Sequence, residues 1–131
     1  MESSFEKEVY SFMSIVTVIL VLLVAIEFIY IMILQTIKTT SLRTSKIFNI
    51  KQEELKKPNL KVLMKNQGVY NGLLGVMLLY ALFFSHNPRE LITCILIYII
   101  LVAIYGAITS QKSIILKQGG LPIIALISLL F

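Results

Sequence analysis

The chain is 131 residues long, 57% hydrophobic and formally +5, with twelve Lys and Arg against seven Asp and Glu. A mean hydropathy of +0.87 excludes an ordinary soluble domain, whose apolar usage is about 45–50%, and the length allows one small domain that is nearly all membrane. Ten of the twelve basic residues sit in two connections between apolar runs, 38–65 and 110–118, which reads as orientation in a bilayer and argues against a nucleic-acid partner.

The N-terminus places Glu2, Glu6 and Glu8 around Lys7. It lacks a basic n-region, and no small-residue cleavage site follows, so the first apolar run reads as a retained span. That run extends from about Phe12 to Ile37, roughly 39 Å as a helix, enough to cross a ~30 Å hydrocarbon core with tilt. Lipid offers no partners to open strand edges, which leaves helices as the spanning element.

A long polar connection follows, from Lys38 to Lys65, with eight basic residues against Glu53 and Glu54. Asn49 is an expected N-cap for a short helix through Lys57, which Pro58 interrupts. A second helix restarts at Pro58 or Asn59 and continues through Gly68 into the membrane, its lysines reaching headgroups. The basic connection is therefore expected to meet anionic lipid headgroups.

The second span is expected over 68–84. Ser85 to Glu90 is a tight polar turn in which Pro88 resets the chain, and the third span covers 91–109. The last segment, 113–131, is broken by Gly119, Gly120 and Pro122 and reads as a kinked or partly unwound fourth helix. The fold expected is thus an all-α, integral membrane four-helix bundle with a basic helical connection between spans 1 and 2. With only Lys7 and Arg89 on the other side, both basic connections face the cytoplasm and both termini lie outside.

Glu27 is the only acid inside an apolar run. An ionised carboxylate at the helix centre costs on the order of 2.5–3.5 kcal/mol on insertion scales. It is expected to face the bundle interior as a proton or cation site; the alternative is a structural acid satisfied by tyrosine and amide groups. Tyr30 shares its helical face. In the second span Gln67 and Asn71 are i,i+4 neighbours flanked by Asn66 and Tyr70, and each buried amide must find a partner or hold a polar group. Gly68, Gly72 and Gly75 form an adjacent small face suited to close helix packing. In the third span Cys94, Tyr98, Tyr105 and Thr109 form a stripe in which Tyr98 lies too deep for an interface anchor; core packing is the alternative. Glu27, Tyr30, Asn71 and Tyr105 fall roughly 4 to 9 Å to the cytoplasmic side of the span midpoints, which suggests one shared buried polar layer.

Other chemistry has no visible equipment. Cys94 cannot form an internal disulfide, no Cys/His spacing suggests zinc, and His86 sits in a solvated turn. No catalytic constellation, metal site or cofactor motif is present.

Arg43-Thr44-x-Lys46-x-Phe48, Glu53-Glu54-Leu55 and above all Lys65-Asn66-Gln67-Gly68-Val69-Tyr70-Asn71-Gly72-Leu73-Leu74 resemble a family of small bacterial integral-membrane proteins, domain of unknown function thirteen-oh-four. Glu27 with Tyr30, Tyr105-Gly106-Ala107 with Thr109, and Gln118-Gly119-Gly120-Leu121-Pro122 also resemble its pattern. The resemblance implies four spans in a bacterial plasma membrane and brings no activity. Two departures are Phe28, where the family pattern often carries histidine after the acid, and the extra glycine before Leu121.

The leading expectation is a homo-oligomer that binds or transports a small molecule through the polar layer, proton-coupled through Glu27. The candidate ligand- or proton-binding residues are Glu27, Tyr30, Asn66, Gln67, Tyr70, Asn71, Tyr98, Tyr105 and Gln118. A membrane-embedded enzyme acting on a lipid or quinone-like substrate and a non-catalytic scaffold are the alternatives.

Overall fold

The computed structural model describes residues 13–131; the acidic N-terminus and Phe12 lie outside the described residues. Among them are six helices and no strand: α1 (Ile15–Thr36), α2 (Leu42–Phe48), α3 (Gln52–Leu55), α4 (Pro58–Phe83), α5 (Pro88–Thr109) and α6 (Ile114–Ser128). The protein is all-α. Two of these helices, α1 and α5, are long and apolar enough to cross a membrane. α4 is longer, but its first turns carry Lys61, Lys65, Asn66, Gln67 and Asn71.

Helix ends follow local chemistry. At the start of α1 the Ser14 hydroxyl accepts from the Thr17 amide at 3.2 Å. Ser41 caps α2 by accepting from the Thr44 amide, and Asn87 caps α5 by accepting from the Glu90 amide, with Pro88 in the first turn where no N–H is needed. Asn49 differs from the sequence expectation. It ends α2 in the left-handed region (φ 54°, ψ 47°), a conformation that asparagine tolerates better than most residues, and the next helix starts only at Gln52. α4 begins at Pro58 and runs without interruption to Phe83.

α6 also departs from expectation, since it stays helical through Gly119, Gly120 and Pro122. The physical reason is close packing on α5. A Cβ on Gly119 would stand 3.3 Å from the Ala103 methyl, and Gly119, Pro122 and Ala125 are buried together on one side of the helix. That packing offsets the low helix propensity of glycine and proline.

The chain divides into two compact units. One comprises the chain up to Val24 with Met77–Phe131, and the other comprises Ala25–Val76; α1 and α4 each contribute to both. The first has an aliphatic core that includes Leu78, Ile92, Ile95, Leu96, Ile99 and Ala103. Its polar bonds include Thr17 Oγ1 to Ser128 Oγ at 2.9 Å and an Arg89 guanidinium donating to the Leu129 carbonyl. The second unit buries Phe28, Ile31, Leu34, Leu55 and Met64 together with Gln35, Thr39 and Thr44. Full burial of Leu55, worth about 1.5–3 kcal/mol, anchors the connector between α1 and α4.

Candidate functional site

Within the Ala25–Val76 unit the last turns of α1 lie against the first half of α4, and three glycines set the distance. A Cβ on Gly72 would collide with the Met32 thioether. A Cβ on Gly75 would stand 2.8 Å from the Ala25 carbonyl oxygen, and one on Gly68 would stand 2.9 Å from Gln35 Cβ. Backbones this close let short polar side chains meet across the seam.

The meeting is between two amides. Asn71 Nδ2 donates to Gln35 Oε1 at 2.7 Å, and Gln35 is only 3% exposed. Gln35 in turn donates from Nε2 to Met64 Sδ at 4.0 Å, a weak acceptor. Above this pair, Thr36 Oγ1 donates to the Lys65 carbonyl at 3.5 Å and Thr39 Oγ1 to the Gln35 carbonyl at 2.7 Å. Thr44 Oγ1 donates to the Leu34 and Lys38 carbonyls, at 3.2 and 2.7 Å. The bonds to Leu34 and Gln35 satisfy carbonyls that the end of α1 leaves open.

Glu27 stands two turns earlier on α1. It is half-buried, with Phe28 and Ile31 buried beside it, and among the described residues its carboxylate has no hydrogen bond or ion pair. Tyr30, one turn further on, is 37% exposed and lies under the Arg43 guanidinium, 5.6 Å from the ring centroid.

The remaining candidates are dispersed. Asn71 is half-buried, whereas Asn66, Gln67 and Tyr70 are exposed on α4. The glycine face decides this, because Met64, Gly68, Gly72 and Gly75 point inward and Gln67 is turned about 100° from Gly68. In the other unit Tyr98 and Tyr105 are exposed, Tyr105 by 71%, and so is Cys94; Gln118 is half-buried. The inward face of α5 is Ile92, Ile95, Leu96, Ile99 and Ala103. Among the described residues no group of three His, Cys, Asp or Glu could hold a metal ion.

Gln35 was not among the residues singled out by sequence, although it is the partner of Asn71. Its signal is its place eight residues after Glu27, where Gln35-Thr36 and Thr39-Thr40 end the first run.

The arrangement is a paired amide seam and, two turns earlier on α1, one half-buried carboxylate that has no partner among the described residues. No solved structure matches the chain. It is 57% identical, over 119 residues, to the "Uncharacterized protein YpaA" of Lactococcus lactis subsp. lactis (strain IL1403), a match that covers 91% of this chain and 100% of that relative. The family described as "Protein of unknown function (DUF1304)" matches residues 22–130, a range that takes in Glu27, Gln35, Asn71 and every other candidate above. The chain belongs to that family.

Proposed function

We propose that the protein is a four-span membrane protein that binds a small polar or cationic molecule, with Glu27 as the group that meets it or exchanges its proton. In this reading α4 and α6 cross the bilayer with α1 and α5, both termini lie outside, and the basic connector faces the cytoplasm. One observation carries the proposal: Glu27 is half-buried in an apolar helix and has no partner among the described residues, whereas Gln35 and Asn71 are bonded to each other. A carboxylate kept on an apolar span is costly, and one that has no partner among the described residues is suited to receive a partner from outside the chain. Exposure of Tyr98 and Tyr105 takes support away from a tyrosine-based enzyme.

The test is purification of wild type and Glu27→Gln in mild detergent, with mass spectrometry of co-purifying small molecules and a flux assay in vesicles. A defined compound held by wild type and lost in the variant is the expected result. PH-dependent flux surviving in Glu27→Gln would sink the proton coupling, and identical ordinary lipid in both samples would sink the ligand site.

A further inference from the structure

The connector between α1 and α4 does not stand off from the helices. The Thr44 bonds to Leu34 and Lys38 fold it back along the last turns of α1, and this brings Arg43 over Tyr30. Tyr30 lies six residues before the end of α1, roughly 9 Å of helix rise. A guanidinium held at that depth is either wasted in hydrocarbon or marks where hydrocarbon stops.

The guanidinium lies over the Tyr30 ring at a cation–π distance. Its five N–H donors lie in the plane, and among the described residues they make no hydrogen bond or ion pair. Such a fork matches a phosphate bidentately. Lys46 is exposed three residues on, on the same side of α2, and no acid lies within that helix. Around the pair, Ile26, Ile37 and Leu42 are exposed. A soluble anion would leave those apolar side chains in water, whereas a phospholipid covers the charge and the apolar surface together.

We propose that Arg43, held over the Tyr30 ring, is a headgroup site for an anionic phospholipid, with Lys46 supplying the second positive charge. The pair then marks the edge of the hydrocarbon on the connector side. The inference shares with the proposed function only the crossing of the membrane by α1. Its readout is lipid affinity, separate from ligand retention at Glu27, so either reading can fail alone.

The experiment is native mass spectrometry of the purified full chain in detergent, titrated with phosphatidylglycerol and, separately, phosphatidylcholine. Phosphatidylglycerol is expected to bind more tightly. Arg43→Gln should weaken it roughly tenfold, as loss of a charge-assisted contact implies. Arg43→Lys, which keeps the charge and loses the fork, should weaken it about threefold. Tyr30→Leu should weaken binding and Tyr30→Phe should retain it, with circular dichroism confirming helix content throughout. An Arg43→Lys protein with unchanged affinity overturns the fork. An equal loss in Lys112→Gln overturns a local site in favour of diffuse charge, and displacement by glycerol phosphate at equal concentration overturns lipid as the occupant.

Discussion

The two units solve the same problem, holding apolar helices together, by different means. In Ala25–Val76 the helices approach through Gly68, Gly72 and Gly75, and a sequence of polar bonds runs from Asn71–Gln35 through Thr36 and Thr39 to Thr44. The unit containing α5 and α6 relies on interlocked aliphatic side chains, with the polar bonds Thr17–Ser128 and Arg89–Leu129 joining separate parts of the chain. Apolar packing tolerates exchange of one aliphatic residue for another. A buried amide pair does not, because removing one partner strands the other. Sensitivity to single substitutions should therefore concentrate in the glycine and amide seam.

The sharpest way to break this contrast is Gly75→Ala. The new methyl would stand 2.8 Å from a backbone oxygen, that of Ala25, and backbone cannot swing aside, so a loss of about 1–3 kcal/mol is expected in thermal unfolding in detergent. Gly72→Ala should cost less, because the Met32 side chain can move. Next comes Asn71→Leu, which leaves the nearly inaccessible Gln35 Oε1 without its donor and should cost about 1–2 kcal/mol. The double variant Gln35→Leu/Asn71→Leu should recover much of that loss; a double-variant cycle with no coupling would remove the pair from the account. Thr17→Val in the other unit should cost less than about 1 kcal/mol, because Ser128 Oγ keeps its 2.6 Å bond to the Ala125 carbonyl. A larger loss there than at Asn71 would reverse the comparison. Smallest is Gly120→Ala. Nothing lies within 4 Å of the added methyl, and better helix propensity should stabilise α6 by about 0.5–1 kcal/mol, read as a higher unfolding midpoint.

Much of the helix order was legible in the sequence because its signals are local. Pro58 and Pro88 sit in first turns and Asn87 caps α5, chemistry that needs no tertiary context. Facing was less legible. α5 is apolar almost all round, so periodicity gives no inward side; tyrosines and isoleucines compete for the core there, and the smoother aliphatic face is the buried one. On α4 the glycines choose the side, which buries Gly68 and leaves Gln67 outside. Gln35 is not legible in the sequence, because a neutral amide near the end of an apolar run looks like its boundary, and only the Asn71 contact reveals its role. The continuity of α6 through Pro122 rests on packing against Ala103, which no local rule contains.

The folded connector has a practical consequence for anyone mapping topology with trypsin. Eight basic residues between Lys38 and Lys65 look like an open set of cleavage points, but a protease needs several residues of extended backbone, and here the chain is pinned. Thr44 is tied to α1, Ser45 Oγ donates to the Ile50 carbonyl at 2.6 Å, and Gln52 Nε2 donates to the Thr40 carbonyl at 3.1 Å. Cleavage there must wait for local opening, so intact protein after a short digestion of inside-out vesicles reports a slow opening step and says nothing about which side of the membrane the lysines occupy. Small charged labels that react with amines without unfolding the backbone are the better probe of this segment.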